Sequence, residues 1–346
     1  MATVDLTVRG AGIFGLSVAW AALLRGARVR VVDPHGVAAG ASGGVVGALA
    51  PHTPDAWNAK KAFQFDSLVL AEPFWRQVEA TSGLVTGYAR LGRLQPLADE
   101  RAVDMARARE ASAQEVWQGR FRWSVVDATQ AGAWAPPSPT GLLVHDDLSA
   151  RLAPLAACHA LAAAIAMRGG EILRDGADDG AVLWATGAAG LHALSGATGR
   201  PAGGGVKGQA AVLHFDAREM PQVFAGGLHI VPHADGTVAV GSTSERDYAD
   251  PTGTDAALDA VIEQAVAAMP VLHGARVVRR WAGLRPRSRS RAPILGPWPG
   301  RPGHFIANGG FKIGFGVAPK VAEVMADLIL DGRDTIPDDF RVEASL

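Results

Sequence analysis

Apolar and polar positions in the first thirty residues follow two alternating periods. Leu6 and Val8 are spaced as on a strand. From Ile13 to Leu24 the apolar residues fill a helix, which Gly26 closes. Ala27-Arg28-Val29-Arg30-Val31-Val32-Asp33 returns to period two with β-branched residues, a second strand. Between the first strand and the helix stand Gly10, Gly12 and Gly15, with Ile13 and Phe14 opening the helix. Strand, glycine turn, helix, strand and acid arrive in the order of a dinucleotide-binding βαβ unit, within its usual span of about 30 residues. Gly10 permits the tight turn, Gly12 lets the backbone approach a pyrophosphate, and Gly15 lets the helix pack close to the strand. The helix N-terminus offers unpaired N–H groups to phosphate, and Asp33 can accept both hydroxyls of a ribose. Arg9 stands where a buried apolar residue is usual, so its side chain needs an exit or a partner.

Further along, the pattern changes twice. After the turn Pro34-His35-Gly36 comes a small-residue loop, Gly40-Ala41-Ser42-Gly43-Gly44, leading to Gly47-Ala48-Leu49-Ala50-Pro51-His52. Residues 55–140 are poorer in glycine, with a broad helical face through Phe65, Leu68, Phe74, Trp75 and Val78. A charged helix over Arg101 to Trp117 and a strand at Gly92 to Leu97 belong to the same stretch. An alanine-rich helix spans Leu152 to Met167, followed by strands at Glu171 to Leu173 and Ala181 to Trp184. The second of these runs into Ala185-Thr186-Gly187, another small-residue turn. From Gly208 to Val240 short strands (Ala210 to Phe215, Leu228 to Pro232, Thr237 to Gly241) predict antiparallel sheet, then a helix over about Asp255 to Met269. Six arginines crowd the segment from Arg279 to Arg291. A strand at Phe305 to Asn308 precedes Gly309-Gly310-Phe311-Lys312-Ile313-Gly314. Pro319 then fits the first turn of a closing helix that ends at Gly332.

Composition narrows the class. The chain has 346 residues, 48% hydrophobic and 19% charged, the balance of a globular protein with a large core. A formal net charge of -1 gives no global attraction to nucleic acid or anionic membrane. The single cysteine, Cys158, excludes a disulfide within the chain and favours a cytoplasmic setting; on its helix it reads as a small apolar residue. No apolar run is long enough for a spanning helix, no leader is expected before the first strand, and no metal-ligand spacing is seen. Gly40 to Gly44 also matches a nucleophile elbow around Ser42. That motif requires a strand running straight into the serine, and Val37-Ala38-Ala39 after a Pro-Gly turn is too short to be one.

Taken together, these stretches resemble the glycine oxidase and D-amino-acid oxidase family of FAD enzymes, glycine-oxidase-like members above all. The residues that carry the resemblance are Gly10, Gly12, Gly15 and Asp33; Ala41-Ser42-Gly43 leading to Gly47-Ala48-Leu49; Ala185-Thr186-Gly187; Trp281-Ala282-Gly283-Leu284-Arg285-Pro286; and Gly310-Phe311-Lys312-Ile313-Gly314. The resemblance implies an α/β fold with a discontinuous Rossmann-type FAD-binding domain (residues 1–54, 141–206 and 283–346). An antiparallel-sheet α+β substrate domain (55–140 and 207–282) is inserted into it. It also implies that Arg285 holds a substrate carboxylate, with Lys312 beside it and His52 and His229 lining the pocket. Arg287, Arg289 and Arg291 are then surface charge. The link between Ile172 and Val182 is shorter than the family usually has, so the adenine should be more open or covered by something else. No cysteine lies near the flavin-facing stretches, so FAD is expected without a covalent bond.

The expected reaction is oxidation of a small amino acid (glycine, sarcosine or a D-amino acid) by hydride transfer to flavin N5, with hydrolysis of the imine and oxygen as acceptor. Alternatives are an amino-acid dehydrogenase using another acceptor, a flavoenzyme acting on an aminomethyl-modified uridine in tRNA, and a nucleotide binder without redox chemistry. The expected partner is a small-molecule amino acid, with no membrane and no nucleic acid; homo-oligomerisation stays open.

Overall fold

The computed structural model describes residues 4–346. Two parallel strands and the helix between them form its first unit: β1 (Leu6–Arg9), then helix α1 (Ile13–Leu24), then β2 (Val29–Val32) paired in register with β1. Glycine chemistry sets this unit. Gly10 adopts a φ of 112°, and a Cβ there would overlap the Ala185 carbonyl; a Cβ on Gly15 would overlap the Gly10 carbonyl. The helix therefore packs on its own turn as only glycine allows. Leu16, Val18, Ala19 and Trp20 on α1 are all fully buried, so the helix lies in the interior with little polar face.

The chain continues through β3 (Ala48–Leu49), α2 (Ala59–Ser82), β4 (Arg93–Pro96), α3 (Glu100–Val116), β5 (Trp123–Asp127), β6 (Leu142–Asp146) and β7 (Ala150–Arg151). Asn58 and Asp99 cap α2 and α3 by accepting from the Lys61 and Ala102 amides, which fixes where each helix starts. Next come α4 (Pro154–Met167), β8 (Glu171–Leu173), β9 (Ala181–Trp184), α5 (Gly187–Thr198), β10 (Gly203–His214), β11 (Gln222–Ala225), β12 (Leu228–Pro232) and β13 (Thr237–Gly241). The last elements are α6 (Ala256–Ala268), β14 (Arg276–Ser288), β15 (Ile294–Pro297), β16 (His304–Asn308) and α7 (Gly314–Asp331).

These strands make two large sheets. The six-stranded sheet has the order β15-β16-β9-β1-β2-β8, parallel except for the edge strand β15. The eight-stranded sheet has the order β14-β10-β13-β12-β11-β4-β6-β5 and is antiparallel apart from the β4–β11 pair. The fold is thus the mixed α/β architecture expected: a Rossmann-type sheet and an antiparallel sheet in one chain.

Details depart from the sequence reading. β6 pairs with β4 and β5, so the strand after residue 141 lies in the antiparallel sheet. Positions 206 and 283 fall inside the long strands β10 and β14, which pair over their whole length and run from one part of the molecule to the other. Helix α2, read with the substrate part, packs against α4 and α7. The arginine-rich segment is mostly strand, with Arg279 and Arg280 exposed near the outer end of β14. Helix α7 starts at Gly314, five residues before Pro319, so the proline lies inside the helix instead of opening it. Trp20, Trp75 and Trp117 are fully buried and are the three largest side chains with no exposure.

Gly15→Ala tests the close helix–strand approach. It should give a protein whose helical signal survives but whose melting temperature drops and whose yellow flavin is lost on purification; a variant with unchanged stability and full flavin content contradicts the packing account.

Candidate active site

A cavity of about 1000 Å³ opens at the carboxyl ends of β1, β2 and β9 and reaches the face of the antiparallel sheet. Gly10, Gly12, Ile13, Phe14, Asp33, Ala41, Ser42, Gly47, Ala48, Ala185, Thr186 and Gly187 line one side. Arg285, Gly310, Phe311, Lys312, Gly314 and His229 line the other. The chain thus brings together stretches from both ends and the middle, at the position where open parallel sheets bind nucleotides.

At the nucleotide end the polar groups are already oriented. Asp33 Oδ2 accepts from the Ala11 amide at 2.8 Å and Oδ1 accepts from the His35 amide at 2.9 Å. These bonds pin the carboxylate at the end of β2 and leave lone pairs for a ribose. Ser42 Oγ accepts from the Ile13 amide at 3.0 Å, tying the small-residue loop to the start of α1. That bond gives Ser42 a structural task, and its place in a short 3-10 turn (Ala41–Gly43) with no strand leading into it removes the nucleophile-elbow reading. Gly12 caps helix α1 without a side chain, so the first-turn amides beyond Ile13 stay available to an anion. Arg9 finds both an exit and partners: Nε donates to Asp178 at 2.6 Å and Nη2 to the Gly176 carbonyl at 2.7 Å, while the side chain lines the cavity. The short link after β8 is held down by Thr7 Oγ1 on the Asp179 carbonyl, Arg30 on Asp179 and Arg174 on the Pro34 carbonyl. Arg9, Pro34, His35 and Trp184 thus line the end where a longer excursion was expected to be missing.

The other end is built around Arg285. Arg285 is 8% exposed, and its guanidinium makes one hydrogen bond, from Nη1 to the Thr243 carbonyl at 3.1 Å, and forms no ion pair among the described residues. Burial pulls its pKa down to about 10, which still leaves it charged at neutral pH. Gly208 supplies the space: a Cβ there would coincide with the guanidinium. Thr243 is fixed in turn by Gln209, whose amide donates to Thr243 Oγ1 at 2.8 Å and whose carbonyl accepts from Thr243 N at 3.1 Å. Lys312 has no hydrogen-bonding partner among the described residues; burial and the nearby Arg285 charge lower its pKa. Asp33 at the far end is the one carboxylate among the cavity's lining residues, so the Arg285 end is a pocket for an anion. The amide end of α7 begins at Gly314 beside it, adding positive potential.

Some expected site residues support the cavity without facing it. Leu49 is fully buried in the apolar core, Gly43 packs against the Ala38 carbonyl, and Gly15 packs against Gly10. His52 and Ile313 line a smaller neighbouring chamber, which His229 and Lys312 share with the main cavity. Gly208, Thr243, Asn308 and Trp281 were not singled out as site residues. Asn308 holds the Gly187 carbonyl at 2.9 Å, and a Cβ on Gly44 would lie 3.5 Å from the Trp281 ring.

A family model described as FAD dependent oxidoreductase (DAO) matches residues 5–328. The chain belongs to this family. Glycine oxidase of Pseudomonas putida is 39% identical over 134 residues, 38% of this chain and 36% of that protein. A bifunctional protein ThiO/ThiG of Nostoc is 27% identical over 362 residues, covering 96% of this chain and 53% of its own length. The aligned segments therefore span about a third of the glycine oxidases first matched and about half of the bifunctional proteins. Among solved structures, glycine oxidase from Geobacillus kaustophilus superposes with a TM-score of 0.86 at 20% identity over 98% of both chains. Iminodiacetate oxidase from Chelativorans gives 0.85 at 22% identity, over 97% of this chain and 98% of that one. The residues present fit the family's FAD: the glycine cradle at Gly10 and Gly12 admits a pyrophosphate, the cavity is large enough for the dinucleotide, and its lining is apolar between two polar ends.

Two outcomes check the site of this flavoenzyme. Gly208→Ala should retain FAD yet lose affinity for acetate by at least about tenfold, read from perturbation of the flavin band, because the new methyl displaces the guanidinium. His229 is held near pKa 4 by burial and by the Arg93 and Lys312 charges. Above pH 6.5 neither folded nor unfolded chain binds that proton. As pH falls from 6.5 toward 4 the unfolded chain takes it first, so stability is lost on acidification. Unfolding in urea should show about 2 kcal/mol of such loss between pH 7 and pH 5 that disappears in His229→Asn. An equal acid slope in both proteins would refute the assignment.

Proposed function

We propose that the protein oxidises the carbon–nitrogen bond of a small amino acid, with glycine, sarcosine and small D-amino acids as its first candidate substrates. The observation that carries this reading is the buried, unpaired Arg285 guanidinium facing the same cavity as the dinucleotide cradle. A guanidinium presents a planar fork to a carboxylate, and its single carbonyl partner leaves N–H groups free for one. The names of the relatives, glycine oxidase in two Pseudomonas species, agree with an amino-acid substrate.

The chain's own residues then do three things. Arg285 fixes the carboxylate, so the α carbon is presented to the cavity in one orientation and the reaction gains from positioning. Arg285 and Lys312 place positive charge beside the substrate amine, which favours its neutral form and makes loss of the α hydrogen with its electron pair easier. Ala48, Phe224 and Phe315 give the surrounding wall an apolar surface that limits water. Bound FAD supplies the two-electron acceptor. In balance, amino acid, oxygen and water give the keto acid, ammonia and hydrogen peroxide; sarcosine gives glyoxylate and methylamine instead.

The experiment is an anaerobic visible spectrum of the purified protein with glycine, sarcosine, D-alanine and D-proline added in turn, followed by admission of air. The flavin band should bleach with at least one of them and recover in air with one equivalent of hydrogen peroxide. Bleaching that a quinone reverses and air does not would replace the oxidase by a dehydrogenase. A band that no amino acid bleaches would remove the amino-acid reading.

A further inference from the structure

Beside the main cavity lies a second chamber of about 170 Å³ whose buried Arg93 the reaction just described does not use. The two spaces share Ala48, Phe224, His229 and Lys312 as a common wall. The polar lining of the chamber is His52, Gln64, Arg93, His229 and Lys312, and it contains no aspartate or glutamate. Arg93 is 6% exposed, and of its three nitrogens only Nε is engaged, donating to Asp146 at 2.9 Å. Asp146 is fully buried and also accepts from the Ser149 amide, so it stands behind Arg93 and outside the chamber. His229 keeps its Nδ1 buried with no partner while its ring packs against Phe224 at a centroid distance of 4.8 Å. Gln64 is already engaged at both ends: Oε1 takes the His52 amide at 2.8 Å and contacts the His52 ring, and Nε2 donates to the Ala50 carbonyl at 3.1 Å.

Buried donors without partners cost stability unless a ligand completes them. Here the groups without a partner are the two Arg93 Nη nitrogens and the buried His229 Nδ1, with the more exposed Lys312 ammonium at the edge of the same small space next to the Arg285 pocket. A substrate ending at its α carboxylate would leave Arg93 and His229 unused. We propose that this chamber is a second carboxylate subsite, and that the preferred substrate is an amino dicarboxylate whose second carboxylate, carried on the side chain or on the amine nitrogen, binds Arg93 and Lys312 while Arg285 holds the first. Lys312 stands at the junction and can pair with either group. This inference rests on the reading of Arg285 as the holder of the α carboxylate.

Unreactive acids separate the two subsites without turnover. Acetate and butyrate, then malonate, succinate and glutarate, are titrated into the FAD-loaded protein and dissociation constants are read from the flavin band. At least one dicarboxylate should bind about tenfold or more tighter than the monocarboxylates. Removal of Arg93 alone leaves Asp146 as an uncompensated buried charge, so the variant to use is the double Arg93→Gln/Asp146→Asn, with His229→Asn as a second, milder probe. The double variant should erase the dicarboxylate preference and leave acetate binding within about twofold of wild type. In anaerobic reduction, iminodiacetate or D-aspartate should then bleach the wild-type flavin faster than sarcosine or D-alanine at equal concentration. Dicarboxylates binding no tighter than acetate, or a preference that persists in both variants, overturns the subsite while acetate binding leaves the Arg285 pocket standing. Loss of all carboxylate binding in wild type overturns the Arg285 reading and the subsite together.

Discussion

A charged guanidinium in a nearly dry pocket, with one backbone carbonyl as its hydrogen-bonding partner, is the interaction on which the active site depends. Burial of such a group is costly unless something neutralises it, and no carboxylate of the described residues pairs with Arg285. The fold meets this constraint by geometry. Gly208 on the neighbouring strand leaves the volume for the guanidinium, and Thr243, locked to Gln209, offers the carbonyl that aims it. The remaining N–H groups then face the cavity, ready for an anionic ligand.

The same economy of side chains shapes the other end. At Gly10 and Gly15 backbone meets backbone with no room for a Cβ, which draws β1, α1 and β9 together and leaves a groove above their ends. Ser42 and Asp33 spend their side chains on amides of the turn and of α1, so the loop that a dinucleotide would touch is set before anything binds. Arg9 and the short link after β8 belong to this end: an arginine in an apolar position is acceptable because Asp178 and the Gly176 carbonyl are brought to it.

Much of this was legible from the chain. The first βαβ unit was readable because its signals are local: glycines at fixed spacing, a helix, and an acid at the end of the next strand. The helices α3, α4 and α6 and the strands β12 and β13 were readable from periodicity within one or two residues at their ends. The strand β14 was hidden by its six-arginine neighbourhood, since charge masks alternation when one face of an edge strand is solvated. The start of α7 was misplaced because Pro319 resembles a helix opener, whereas the turn at Gly314 needs no proline. Gly208 could not be found at all. Its requirement comes from a side chain on a partner strand distant in sequence, and nothing local marks it. The Arg93–Asp146 pair behind the second chamber was hidden for the same reason: two residues 53 positions apart meet only through strand pairing.

The central claim is that Arg285 binds the carboxylate of the ligand. Its most direct test is the dissociation constant of a carboxylate ligand for Arg285→Ala, measured on protein shown by its spectrum to hold a full complement of FAD. The account predicts affinity weaker by about a hundredfold, near 3 kcal/mol, with the flavin still bound. Unchanged affinity in the flavin-loaded variant would contradict it.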